Sequence, residues 1–390
     1  MASPAPKRPR LRDLGIVLGM LPPGPLNAIT DVPGVRVGHM TLIAGSGPLR
    51  PGVGPVRTGA TAILPHAGNL FREKVAAAVY TINGYGKVAG FEQVRELGTL
   101  EAPILLTNTM NVPLVADAAG TYLMRETPEL GVSASSGNRV VGETSDGFLN
   151  DLRGRHVREE HVWRAIESAA EGPVVEGNVG AGTGTICFGF KGGIGTASRR
   201  LFDDAVTVGA LVQSNFGSRP HLLVMGAPIG RHFRDRLLPG TAPAAPAPPA
   251  PPTTPEPPGQ GSIMIALATD APASTHFLER MAKRAAFGLA RTGSVCEDVS
   301  GDFVIAFSTT NRVPQHMREP ERPIERVEAA RLSEDAWTAS ALFAAVVEAV
   351  EEAILNSLVA AETMIGRDDH IVYALPRDEL AELLTYYRRR

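Results

Sequence analysis

Gly261-Ser262-Ile263-Met264-Ile265-Ala266-Leu267-Ala268-Thr269-Asp270-Ala271-Pro272 is the stretch whose reading decides the fold. Ile263, Ile265 and Leu267 alternate with Met264, Ala266 and Ala268, a short run apolar on both faces, which predicts a strand buried on both sides. Asp270, Ala271 and Pro272 stop it. Just before it ends a twenty-residue tract, Pro239 to Pro258, with ten prolines and no Leu, Ile, Val or Phe. A segment with nothing to bury and half its amides unable to donate is expected to be solvated and semi-extended. Ser262 therefore stands where a tether meets the head of a buried strand.

Downstream of that junction the pattern reads strand, helix, strand, long helix. From Thr275 to Arg291 the residues Leu278, Met281, Ala282, Ala285, Ala286 and Leu289 recur at helical spacing, with Gly288 a weak spot and Gly293 a terminator. Phe303 to Phe307 reads as the next strand. Ser333 is expected to cap a helix carrying Leu342, Phe343, Val346, Val350, Ile354 and Leu358 on one face, with Glu334 and Asp335 favouring its start. Two strands and two helices cannot close a core alone, so both parts of the chain must share one.

Upstream, strands are expected at Gly59 to Pro65, Ala102 to Asn108, Gly184 to Phe190 and Ala205 to Gln213, and helices around Leu70 to Tyr80 and His161 to Glu171. Strands and helices mixed across both parts predict a layered α/β domain interrupted by a processing loop.

Composition narrows the function. At 390 residues with 44% hydrophobic residues the chain can bury a sizeable core. Its 38 Lys and Arg are spread among 41 Asp and Glu, for a net charge of −3, so no field draws in a polyanion and no nucleic-acid partner is expected. Lys7, Arg8, Arg10 and Arg12 make a small basic start, but the apolar GIVLGMLPPGPL that follows is broken by Gly and Pro, unlike a signal peptide or a spanning helix. A cytoplasmic, membrane-free protein is expected. Cys187 and Cys296 have no neighbouring cysteine to form a redox or zinc motif and read as core residues.

Catalytic motifs of the common kinds are missing. Gly180, Gly182 and Gly184 lack the dinucleotide-binding order, and close backbone packing or a lining of backbone amides explains that run better. His156 and His161 do not share a helix face with a third ligand, so no metal is expected, and there is no GxSxG elbow. Ser262 remains. Its Oγ can attack the Gly261 carbonyl through a five-membered ring, converting amide to ester, and Gly261 offers no side chain to obstruct it. Once water has resolved the ester, the freed α-amine, with a reference pKa of about 7.7 to 8.0, can act as general base for the same residue's hydroxyl. Local sequence alone leaves a merely structural Gly-Ser open.

Six blocks, in order, resolve that choice: GPLNAITDVPGVRVGH (Gly24 to His39), INGYGKVAGFEQVRELGTLEAPILLTNT (Ile82 to Thr109), VVGETSDGFLND (Val140 to Asp151), GAGTGTICFGFKGGIGTASR (Gly180 to Arg199), VQSNFG (Val212 to Gly217) and GSIMIALATDAP (Gly261 to Pro272). With them the chain resembles the serine aminopeptidases of the D-aminopeptidase and β-peptidyl aminopeptidase type, self-processing N-terminal-nucleophile hydrolases of peptidase family S58. The resemblance runs from about residue 10 to the C-terminus, apart from the proline-rich tract. It implies a four-layer α/β/β/α sandwich of the type shared with ornithine acetyltransferase, one composite domain made of an α chain (1–261, ending in the linker 239–258) and a β chain (262–390). It implies cleavage at Gly261-Ser262, Ser262 as nucleophile and Asn215 as donor to the oxyanion. Ser300 and Asp302 would orient Ser262 Oγ and assist proton movement to the leaving amine. Glu143 and Asp146 are candidate anions for a substrate ammonium.

Two departures stand out. Asp302 is shorter than the Glu of some relatives, and Phe148 replaces a tyrosine, so it is expected to line the pocket without donating a hydrogen bond. The resemblance further implies a small peptide or amino-acid amide substrate, no cofactor, and an oligomer of αβ heterodimers, commonly four. A hydrolase of non-natural amide oligomers, which in related proteins uses threonine, and an unprocessed binding protein of the same fold are the alternatives.

Overall fold

The structure, a computed structural model, describes residues 8–241, 261–315 and 329–389. Most of the proline-rich tract and Lys7 lie outside the described residues. β1 (Arg36–Ala44) and β2 (Val56–Leu64) pair antiparallel. They are followed by β3 (Glu73–Gly84), α1 (Phe91–Leu97), β4 (Thr99–Leu100), β5 (Ile104–Asn108), α2 (Val112–Glu126), β6 (Val140–Thr144) and α3 (Glu159–Glu167). A hairpin of β7 (Ile186–Cys187) and β8 (Phe190–Lys191) leads into β9 (Gly193–Leu201) and β10 (Val206–Asn215). Beyond α4 (Ile229–His232) and β11 (Gly240–Thr241) come β12 (Ser262–Thr269), α5 (Thr275–Arg291), β13 (Gly301–Pro314) and α6 (Ala336–Val359).

Two sheets carry the molecule. One has the order β1-β2-β5-β6, the other β4-β3-β13-β12-β10-β9. Strand alternation explains how they stack. Ile263, Ile265 and Leu267 of β12 join Leu278, Met281, Leu342, Val346 and Ile354 of α5 and α6 in one cluster, while Met264, Ala266 and Ala268 meet Ile63, Ile104, Leu106 and Val140 of the other sheet. The far face of that sheet, with Ala60, Ala62, Leu105 and Val141, is covered by Val115 and Ala118 of α2 and Val162, Ala165 and Ile166 of α3. The result is four layers, α/β/β/α. Each fully buried Leu or Ile in these layers contributes about 1.5–3 kcal/mol. The two parts of the chain share the six-stranded sheet, since β12 pairs antiparallel with β10 and parallel with β13, and β13 with β3.

Most expected elements are present, and three differ. Leu70 to Tyr80, expected as a helix, contains most of β3: Val75, Ala77 and Val79 face the four-stranded sheet and Ala78 faces the helices. An alanine-rich run apolar on both faces satisfies either period, and pairing with β13 decides for the strand. Gly184 to Phe190 is not one strand, because Phe188 (φ 49°) and Gly189 (φ 67°) reverse the chain between β7 and β8. The long helix is capped by Asp335, not Ser333. The Asp335 carboxylate accepts the Trp337 and Thr338 amides at 2.9 and 3.0 Å, and Ser333 donates to that same carboxylate. The glycine-rich run is close packing: a Cβ on Gly195 would lie 2.0 Å from the Ala353 carbonyl oxygen of α6. Among the described residues no group of His, Cys, Asp and Glu could hold a metal ion, and no helix is long and apolar enough to cross a membrane.

Candidate active site

Three strand ends meet at Ser262. It is the first residue of β12, its antiparallel partner is Asn215, the last residue of β10, and its parallel partner is Gly301, the first of β13. Ser262 is 7% exposed, and its Oγ donates to the Gly261 carbonyl oxygen at 2.7 Å. The Gly301 amide donates to the same oxygen at 3.1 Å, so two donors polarise the bond that would be cut. Gly261 is required by close approach, since a Cβ there would sit 2.8 Å from Phe216 Cα.

Asn215 lies on the same face as Ser262. Its Oδ1 accepts the Ile186 amide at 2.8 Å, which fixes the orientation of the side-chain amide and leaves Nδ2 as the group free to serve an oxyanion. Asn215, Asp146, Phe148, Phe216 and Arg367 line a cleft of about 540 Å³. Phe148 stacks on His370, with ring centres 4.3 Å apart and planes at 15°, and His370 Nδ1 donates to the Phe148 carbonyl at 2.8 Å. A phenylalanine here walls the cleft and offers it no donor.

Ser300, just before β13, donates through Oγ to Asp302 Oδ1 at 2.6 Å, and Oδ2 is buried with no hydrogen bond of normal geometry. Burial pushes the Asp302 carboxyl up to about 6, against the downward pull of the Ser300 hydroxyl, the Cys296 thiol and the Ile263 amide. Register decides what this acid can reach. Ser262 pairs with Gly301 and Ile263 with Asp302, so alternation places Asp302 on the face of Ile263 and Val304, opposite the face that Ser262 shares with Met264. The carboxylate therefore addresses the Ile263 amide, one residue along the main chain from Ser262, on the face away from Oγ.

Glu143 sits on β6, 3% exposed, accepting the Lys87 amide at 2.9 Å on Oε1 and the Thr109 hydroxyl on Oε2. Burial raises its pKa above the ordinary glutamate value, with Thr109 and Lys87 opposing. It does not line the Asn215 cleft. It reaches the strand ends from the other side, through Lys87 and the adjoining Gly86, which packs against Gly301. Asp146 does line the cleft. It is 1% exposed, accepts from Asn150 at 2.9 Å and is pushed up to about 7 by burial.

Two residues beyond the sequence reading belong to this neighbourhood. Asn83, at the end of β3, donates through Nδ2 to the carbonyls of Glu297, Asp298 and Ser300 at 3.1, 3.0 and 2.5 Å, clamping the turn that carries Ser300. Cys296, expected to be a plain core residue like the fully buried Cys187, is part-exposed and touches Asp302. Burial and that carboxylate push its thiol up to about 11. Locally Asn83-Gly84 reads as a turn and Cys296 as core, and neither pattern reports a partner so far along the chain.

A serine heading the central strand of a four-layer sandwich, with an amide side chain opposite it, defines a hydrolase of the N-terminal-nucleophile fold. The chain superposes on the L-aminopeptidase D-Ala-esterase/amidase of Ochrobactrum anthropi, a prototype for the serine aminopeptidases and a variant of that fold. The TM-score is 0.84 at 38% identity, covering 98% of this chain and 99% of the other. It also matches the PH0078 protein of Pyrococcus horikoshii OT3, with a TM-score of 0.87 at 46% identity over 97% and 99% of the two chains. The beta-peptidyl aminopeptidase BapA of Sphingosinicella microcystinivorans is 45% identical over 386 residues, 98% of this chain and 93% of that protein. Residues 27–372 match the model of peptidase family S58, and the chain belongs to that family.

Proposed function

We propose that this peptidase cleaves itself between Gly261 and Ser262 and then removes N-terminal residues, β-amino residues among them, from small peptides and amides. The observation that carries the reading is Ser262 at the head of β12, its Oγ 2.7 Å from the Gly261 carbonyl oxygen and its register partner Asn215. In the first step Oγ adds to the Gly261 carbonyl carbon, the C–N bond breaks, and the nitrogen takes the hydroxyl proton to become the α-amine. Water then hydrolyses the ester, giving an α chain of residues 1–261 and a β chain of residues 262–390.

In turnover the α-amine takes the hydroxyl proton as Oγ attacks the substrate carbonyl. Asn215 Nδ2 donates to the oxygen that becomes negative; donors of this kind contribute about 10²–10³ in rate. The proton passes to the leaving amine, and water releases the acyl group from Ser262. Ser300 and Asp302 hold the α-amine, and Glu143 is placed for the ammonium of the first substrate residue. The relative's activity on β-peptidyl substrates supports the inclusion of β-amino residues. No step draws on a metal or organic cofactor. By family resemblance the working form is a cytoplasmic assembly of several αβ heterodimers.

Intact mass under denaturing conditions tests this, beside Ser262→Ala and a β-alanyl anilide assay. Two fragments and anilide release in the parent, with one uncut and inactive chain in the variant, are expected. An uncut parent without activity would leave a binding protein of the same fold.

A further inference from the structure

We infer that the Asn215 cleft is built for substrates ending in a free carboxylate, short peptides with an unblocked C-terminus, and that Arg367 receives that carboxylate. The inference rests on the aminopeptidase reading and adds to it the identity of the leaving portion.

Arg367 is the one cationic side chain among the described residues lining the cleft. It is held as a fixed group. Nε donates to the Gly147 carbonyl at 2.7 Å, Nη1 to Asp368 Oδ2 at 3.1 Å, and the Arg367 amide to the Leu149 carbonyl at 2.9 Å. Asp368 is itself tied down, because its Oδ1 accepts the Leu49 amide at 2.7 Å. Neither side-chain bond uses Nη2, whose two N–H groups remain for a ligand, and the side chain is 25% exposed. A guanidinium held through Nε and Nη1 with Nη2 free is fixed in place to give a charge-assisted hydrogen bond from Nη2 to a carboxylate oxygen.

Position decides which end of a substrate meets it. Glu143, the ammonium anchor, lies outside the cleft on the Lys87 side of the strand ends, and Asn215 marks the carbonyl under attack. A substrate with its first residue toward Glu143 extends its leaving portion into the cleft. There it meets the Phe148 and Phe216 walls, and its terminal carboxylate meets Arg367. The neighbouring acids leave Nη2 to a ligand: Asp368 engages Nη1, and Asp146 is buried with its carboxyl pushed up to about 7.

The test uses the processed full-length protein and three substrates: β-alanyl-L-alanine, its C-terminal amide, and β-alanyl p-nitroanilide. The parent is expected to show a KM for the free acid well below that for the amide. Arg367→Gln should raise the free-acid KM about 10- to 100-fold, the worth of a charge-assisted contact. It should leave the amide and anilide within about 3-fold, and Arg367→Lys should recover part of the loss. Equal KM values for acid and amide in the parent would overturn the inference while anilide turnover keeps the aminopeptidase reading. So would an Arg367→Gln effect spread evenly over all three substrates, since an arginine that only props the Gly147 turn cannot discriminate the ends. No turnover of any substrate would overturn both.

Discussion

Two buried acid sites in this molecule behave in opposite ways. Under α6, Arg199 is fully buried and donates to Glu348 and Glu352 at 2.8 and 2.7 Å, while Arg12 and Asn27 donate to Glu352 as well, at 2.7 and 2.6 Å. Burial alone would push the Glu352 carboxyl up, but Arg12, Arg199 and Asn27 outweigh it and hold the pKa below the ordinary value. At the strand ends Asp302 is buried to a similar degree, accepts the Ser300 hydroxyl on Oδ1 with no cation beside it, and, despite the pull of the Cys296 thiol and the Ile263 amide, stands at about 6. Burial is common to both and the complement of donors is not. A satisfied buried charge fixes the N-terminal segment on α6, and an under-satisfied one keeps a place for a further donor, such as a new α-amine.

The comparison breaks most sharply at Glu352. Glu352→Ala leaves the buried Arg199 guanidinium with Glu348 as its one remaining ion-pair partner among the described residues, beside main-chain carbonyls, and a loss of about 3–5 kcal/mol is expected. Urea midpoints measure it, and the activity of the folded fraction should stay near the parent's.

Asn215→Ala should do the reverse. A loss of kcat of about 10²–10³ is expected from removing the oxyanion donor, with the urea midpoint nearly unmoved. A large stability loss there would mean that the Asn215 bond to Ile186 is chiefly structural.

The smallest effect is in pH. Asp302, raised to about 6 in the uncleaved chain, needs its charge to hold the α-amine, so turnover should slow as pH falls toward about 6, and Asp302→Asn should be slow and flat. The signs for stability differ as well. A raised carboxyl makes the folded state lose stability as pH climbs from about 3.9 toward 6, whereas the lowered Glu352 adds stability above its unfolded value and loses it on acidification. Unfolding free energy against pH for the parent, Asp302→Asn and Glu352→Gln separates the two. Matching slopes in both variants would sink the contrast.

Legibility in the sequence followed the range of the interaction. α5 was expected from Thr275 to Arg291 and spans those residues, because helical spacing is written in neighbours. β12 was plain for the same reason. β3 is ambiguous in the sequence because Val75 to Val79 is apolar at every position, and only pairing with β13 makes it a strand.

By itself, then, the sequence determined the buried strand beginning at Ser262, the helix after it and, through its blocks, the family. Those are statements about consecutive residues. Tertiary structure alone decided that Asp302 pairs with Ile263 on the face away from the Ser262 hydroxyl, that Asn83 clamps Ser300 from 217 residues away, and that Arg367 is fixed to Gly147 from 220. Strand register and side-chain reach set those contacts, and both exist only once distant segments have packed against each other.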